Sequence, residues 1–194
     1  MRTVKVYESI LAILEEKGSL PISRICAEVN QMLEMNRDRP LLPSQIKSIV
    51  TRKSDLFVNH EGNVSIQPDK QLLHLDFILD REGGISYRVD VNFSSKRFTF
   101  FEWRSKRANV PSPSARSRKA GTFSVFVQAV FSLKLWDWLP SYVKEEGIIL
   151  GENSWRLKLV TAGKTYESEG TDCYPPNWLQ FCRAIERLTG CILS

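Results

Sequence analysis

Metal-assisted phosphodiester hydrolysis needs two or three carboxylates that converge on one ion. In this 194-residue chain the pair that invites such chemistry is Asp90 and Glu102. Both lie in runs where apolar and polar residues alternate, the pattern of half-buried strands. The alternation puts Asp90 with Thr99 and Phe101, and puts Glu102 on the opposite face with Tyr87 and Phe100. The two carboxylates are therefore expected to stay apart. Position 104 holds arginine, where metal nucleases often keep a lysine two residues after the acid. Nucleophilic chemistry fares no better. His60 and His74 are the only histidines, and there is no G-x-S-x-G elbow and no glycine-rich phosphate loop. Cys173, beside Tyr174-Pro175, is a thiol that reads more readily as part of a structural turn than as a nucleophile. Cys26, Cys173, Cys182 and Cys191 form no C-x-x-C pair and lie far from a histidine in sequence, so no zinc site is expected. The expectation is a non-enzyme with no catalytic residue, metal or cofactor.

Binding residues are easier to find. The net charge is +5, and the excess is confined to one stretch. Residues 1–70 carry ten Lys/Arg against nine Asp/Glu, while residues 103–120 carry six against none. Those six are Arg104, Lys106, Arg107, Arg116, Arg118 and Lys119, set among serines and prolines that cannot build a core. A mobile basic loop at 104–120 is expected, able to grip phosphates without reading sequence. If all six charges met phosphates, log K would fall with log salt at a slope near ~5. The second candidate is the stretch from Pro43 to Ser54. Ile46, Ile49 and Val50 at i, i+3, i+4 form a narrow apolar stripe on a helix. Ser44, Gln45, Lys47, Ser48, Thr51, Arg52 and Lys53 are left as a polar, basic face that can reach phosphates and base edges.

Two more helices precede that one. Residues 4–17 carry Val6, Ile10, Leu11 and Leu14 along one side, with Gly18 as a stop. Leu20-Pro21-Ile22 reads as an extended link. Ser23 then caps a helix to about Met35, with Ile25, Val29, Met32 and Leu33 turned inward. Asn36 to Pro40 is a polar break. After the third helix, Leu56–Asn59 and Asn63–Ile66 read as strands around His60-Glu61-Gly62. Three helices followed by a hairpin make a winged helix. The second and third helices form the helix-turn-helix, and the wing offers Asn59, His60 and Asn63 to a duplex backbone or minor groove.

At residue level, Leu14-Glu15-Glu16-Lys17-Gly18-Ser19-Leu20-Pro21-Ile22-Ser23-Arg24-Ile25 resembles the start of HARE-type winged helices. Leu42-Pro43-Ser44-Gln45-Ile46, Asp55-Leu56-Phe57 and the glycine-bearing hairpin resemble their second half. The resemblance covers residues 1–67. It implies contact with DNA and attachment to restriction, chromatin or transcription proteins. Winged helices also dock proteins, and the near-neutral charge of this stretch keeps that alternative open.

Gln67–Gln71 reads as a linker to a second domain at 72–194. Leu73, Leu75, Phe77 and Leu79 alternate with His74, Asp76, Ile78 and Asp80, as in a half-buried strand. A three-residue loop, Glu82-Gly83-Gly84, sets Leu79 opposite Tyr87, Phe77 opposite Val89 and Leu75 opposite Val91. A turn at Ser94-Ser95 brings Val91 to Phe98 and Val89 to Phe100, giving a three-stranded meander. Thr122 to about Trp138 reads as a helix apolar nearly all round, buried or offering a dimer surface. A strand led by Trp155 turns at Ala162-Gly163, so that Tyr166 faces Leu159 and Gly170 faces Trp155, where a side chain would crowd the indole. Pro175-Pro176-Asn177 starts a last helix with Trp178, Phe181, Cys182, Ile185 and Leu188 on one face and Gly190 at its end. Leu135–Trp138, Gly151–Leu159 and Gly170–Trp178 together look like a widespread bacterial α+β domain with a tryptophan-led strand and a G-x-x-x-Y-P turn, to which no chemistry is assigned.

The expected fold class is therefore α+β, an N-terminal winged helix followed by an α+β domain with an antiparallel sheet and two main helices. The expected function is non-catalytic binding of double-stranded DNA, as a transcriptional regulator or DNA-recognition component. The alternatives are a docking adaptor or subunit of a phage-defence or restriction system, and a metal-dependent nuclease. A homodimer or protein partner would use the second domain. No run of 18 apolar residues and no signal peptide is seen, so a cytoplasmic protein without a membrane partner is expected.

Overall fold

The computed structural model describes residues 6–32, 40–82, 84–104, 122–143 and 153–193. The chain is α+β, with five helices and two sheets among the described residues. It divides into two units, Met1–Gln71 and Leu72–Ser194.

In the first unit the order is α1 (Val6–Lys17), β1 (Leu20–Pro21), α2 (Ile22–Met32), α3 (Pro43–Arg52), β2 (Phe57–His60) and β3 (Asn63–Ile66). α1 buries Ile10, Leu11, Ile13 and Leu14. Gly18 ends it with a positive φ of 74° and donates its N–H to the Leu14 carbonyl at 2.9 Å. Leu20 and Pro21, expected as a bare link, pair with Val64 and Asn63 and add a third strand to the hairpin. Ser23 lies inside the first turn of α2 rather than capping it, because the helix begins at Ile22. α2 turns Ile25, Cys26 and Val29 inward, whereas Met32, expected inside, is 50% exposed at the last position of the helix. The expected extension through Leu33 to Met35 lies outside the described residues.

α3 is fixed at its start by two devices. Asn30 on α2 donates to the Leu41 carbonyl at 3.0 Å and accepts the Leu41 N–H at 2.8 Å, with the Cys26 thiol on the same carbonyl at 3.1 Å. The Gln45 side-chain oxygen accepts the Leu42 N–H at 2.8 Å, while the Gln45 N–H donates to the Leu42 carbonyl. Two otherwise orphaned donors of the first turn are thereby satisfied. Ile46 and Val50 meet the core that Leu56, Phe57, Val64 and Ile66 complete. β2 and β3 close on Glu61 (φ 51°) and Gly62 (φ 85°), both left-handed, as a two-residue hairpin turn demands.

The second unit contains β4 (Leu72–Asp80), β5 (Ile85–Asn92), β6 (Arg97–Arg104), α4 (Phe123–Leu133), β7 (Ser141–Tyr142), β8 (Ser154–Thr161), β9 (Thr165–Thr171) and α5 (Trp178–Thr189). They build a six-stranded sheet in the order β6-β5-β4-β8-β9-β7. Every pairing is antiparallel except β7 with β9. The registers match the expected ones: Leu79 faces Tyr87, Val91 faces Phe98, Leu159 faces Tyr166 and Trp155 faces Gly170. Leu73 departs from the pattern. A bulge between Leu72 and His74 buries Leu72 and leaves Leu73 half-buried.

The inner face carries Leu75, Phe77, Leu79, Val89, Val91, Trp155, Leu157 and Leu159, all buried. α5 covers it, with Phe181 edge-on to Phe77 at 5.0 Å. α4 ends at Leu133, five residues before the expected Trp138, because Lys134 takes a left-handed φ of 50° and a 3-10 turn follows. The break sends Trp136 against Phe131 and Trp138 against Trp155 and Phe181. Asn177 secures it by donating to the Leu133 carbonyl at 2.7 Å and accepting the Trp138 indole N–H at 2.8 Å. The apolar residues of α4 are largely spent inside the unit: Phe126, Val127, Val130 and Phe131 are buried, and Val125 is exposed. Among the described residues no helix is long and apolar enough to cross a membrane.

Candidate nucleic-acid interface

On α3 the buried stripe decides where the polar residues go. At about 100° per residue, Ser44, Lys47, Ser48 and Thr51 share roughly one third of the circumference, with Ser48 directly opposite the Ile46–Val50 stripe and Lys47 at its flank. All four are exposed, as are Gln45 and Arg52. Three side chains are already engaged. Gln45 uses its oxygen on the helix start, which leaves its amide nitrogen as a donor. Arg52 Nε donates to the Ser48 carbonyl at 3.3 Å. Lys53, just past the helix, is half-buried with its ammonium 5.3 Å from the Tyr7 ring centroid, and so is partly spent on packing.

The hairpin adds Asn59, His60 and Asn63, all exposed, with His60 and Asn63 directly paired at its tip. An ion pair ties α1 to α2: Lys17 Nζ lies 2.7 Å from the half-buried Glu28, and Arg24 lies 3.3 Å from it. The Lys17 hydrogen bond holds the Glu28 carboxyl below its usual pKa. Of the basic stretch, Arg104 is the exposed last residue of β6. Lys106, Arg107, Arg116, Arg118 and Lys119 lie outside the described residues.

The acidic pair separates as the alternation requires. Asp90 faces Thr99 on the outer side of the sheet, and Glu102 faces Tyr87 on the inner side. Sequence reading missed a different pairing, Asp90 directly opposite Asp76, because it depends on the β4–β5 register. Like charges so placed repel. Here each has a basic partner, Asp90 with His74 Nε2 at 3.1 Å and Asp76 with Arg88 Nε at 2.9 Å. Among the described residues no three His, Cys, Asp or Glu side chains converge as metal ligands would.

An open groove of about 390 Å³ lies along β8 and β9. It holds the Arg156–Glu169 pair at 3.4 Å, and neither histidine nor cysteine lines it. The cysteines are equally quiet. The Cys173 carbonyl accepts the Trp155 indole N–H at 2.9 Å, a structural task. Burial, with Glu186 nearby, pushes the Cys182 thiol up to about 12, so it stays protonated at neutral pH.

Comparison with known protein families, characterised proteins and solved structures yields no match to this chain.

Proposed function

We propose that the first unit is a winged helix that binds double-stranded DNA without catalysis, as a regulator or as the DNA-recognition part of a larger system. One observation carries this reading: α3 buries Ile46 and Val50 while Ser44, Lys47, Ser48, Thr51 and Arg52 are all exposed. The element order supports the reading: α2 leads into α3 and a hairpin follows, the sequence of elements a helix-turn-helix with a wing requires. In the major groove Lys47 and Arg52 meet phosphates or guanine edges, and the hydroxyls and the Gln45 amide meet neighbouring donors and acceptors. Asn59, His60 and Asn63 reach the flanking backbone or minor groove. The basic residues from Arg104 to Lys119 add contacts that ignore sequence. One helix reads only a few base pairs, so a specific site requires a dimer or a second module.

The test is fluorescence anisotropy with labelled duplex at low salt. Wild type binds, and the double variant Lys47→Ala, Arg52→Ala loses at least about tenfold, the lower range for two lost contacts. Equal binding by wild type and double variant sinks the reading.

A protein-docking role is the second reading. It is favoured by the nearly neutral charge of residues 1–70 and by two exposed apolar side chains near the α2–α3 connection, Met32 at 50% and Leu42 at 58%. In that case the double variant still co-purifies with its partner.

A further inference from the structure

β6 is an edge strand of the six-stranded sheet. Its register places Phe98, Phe100 and Glu102 opposite the inner-face residues Val91, Val89 and Tyr87. Period-two geometry then turns Arg97, Thr99, Phe101 and Trp103 to the outer face. Phe101 is 57% exposed there, and Trp103 is half-exposed. Two aromatic side chains at i, i+2 stand ~7 Å apart along one strand.

The charges around them differ from those on the rest of that face. Across β4, β5, β8 and β9 the charged side chains have partners, Arg88 with Asp76, Arg156 with Glu169 and Lys158 with Glu167, while Asp90 lies against the His74 imidazole. At β6 the matching stops. Arg97 on that face and Lys96 at the turn before it are exposed, and no carboxylate among the described residues pairs with them. The edge is thus aromatic and cationic together.

Three occupants can be weighed. A second copy of β6 would bring two sets of Lys96, Arg97 and Arg104 together along one ladder, and such charges guard edges against strand addition. A duplex hides its base faces in the stack and leaves Phe101 and Trp103 unused. A single strand presents phosphates and unstacked bases at once, which is what this edge complements.

We propose that the outer side of the β5–β6 edge binds single-stranded nucleic acid. Phe101 and Trp103 each stack on a base, Arg97 on the same face and Lys96 at the adjoining turn follow the phosphates, and Arg104, which the alternation turns to the inner face, takes no part. This activity goes beyond duplex binding and uses no residue of α3.

The experiment uses the full chain and four probes: labelled 12-nucleotide oligothymidine, oligouridine of the same length, a 12-base-pair duplex, and inorganic polyphosphate as competitor. Stacking reads base faces rather than the sugar, so at least one oligonucleotide binds, and the tighter of the two identifies DNA or RNA as the source. Phe101→Ala weakens that binding about tenfold, within the range for losing one stacked base. Phe101→Tyr retains it. Lys47→Ala with Arg52→Ala leaves it unchanged while altering the duplex arm, so the two functional readings fail separately. Three results overturn the proposal: neither oligonucleotide binds, Phe101→Ala binds like wild type, or polyphosphate displaces the oligonucleotide as well per charge as unlabelled oligonucleotide does. A dimer in sedimentation that Phe101→Ala dissolves would assign the edge to a second copy instead.

Discussion

Gly170→Ala should be severe although it adds one methyl group. Gly170 lies opposite Trp155 in the β8–β9 ladder and has an ordinary backbone conformation, so the cost is one of space. A Cβ there would stand 2.6 Å from the Cys173 carbonyl oxygen and 2.7 Å from Trp155 Nε1. Those two atoms are hydrogen-bonded to each other at 2.9 Å, so the methyl forces a wedge between donor and acceptor. The indole cannot retreat: it is 2% exposed and held by Trp178 at 4.9 Å, Trp138 at 5.7 Å and Tyr142 at 5.7 Å.

Overpacking costs about 1–3 kcal/mol. Leaving the buried indole N–H unpaired costs about 1–3 kcal/mol more. The reduced freedom of the unfolded chain returns about 0.4–1 kcal/mol. The net loss centres on about 2–4 kcal/mol. All five tryptophans lie between Trp103 and Trp178, in the second unit, so indole emission during urea unfolding reports that unit. At a slope near 2 kcal/mol/M the midpoint should fall by about 1–2 M. In a Trp155→Phe background the penalty should shrink, which a double-mutant cycle measures. An unchanged or raised midpoint for Gly170→Ala would refute the steric argument.

Two further outcomes are expected. Asn30→Ala should destabilise the first unit by about 1–3 kcal/mol, because it strands the Leu41 N–H and leaves the Leu41 carbonyl only the weak Cys26 thiol donor. Far-UV circular dichroism should show the loss while indole emission of the second unit is unmoved. Cys182 provides a pH test. Its folded-state pKa stands above the unfolded value, so the folded state favours the neutral thiol. Its stabilising contribution is full below pH ~9 and is lost as pH climbs toward about 12. Cys182→Ala should flatten that alkaline decline in urea midpoints, and a decline of equal slope in the variant would refute the assignment.

The hairpins were legible in the sequence for a local reason. Val89 and Val91 can face the core only in one register, and the lengths of the two loops then fix Tyr87 opposite Leu79 and Phe98 opposite Val91. The same logic found Gly170 under Trp155. What escaped depends on distant partners. Nothing near Leu20-Pro21 announces a strand, since its ladder partner is Val64. The bulge at Leu72 follows from pairing with Thr161 and Val160, far along the chain. The early end of α4 is secured by Asn177, whose side-chain amide bonds both the Leu133 carbonyl and the Trp138 indole. On α3, helical periodicity gave which residues face outward. It did not give the tasks of Gln45 at the helix start or of Lys53 over Tyr7, because both belong to tertiary neighbours.

The central strand of the large sheet has a consequence for synthesis. β4 is hydrogen-bonded on one side to β5, its immediate successor, and on the other to β8, which ends at Thr161. At about 5–20 residues per second, a ribosome needs roughly 4–16 s to travel from the end of β4 to the end of β8. During that interval Leu75, Phe77 and Leu79 have emerged without the strand that completes their ladder and without α5. The nascent meander is therefore the species a chaperone would meet, whereas the first seventy-one residues can fold before that delay begins.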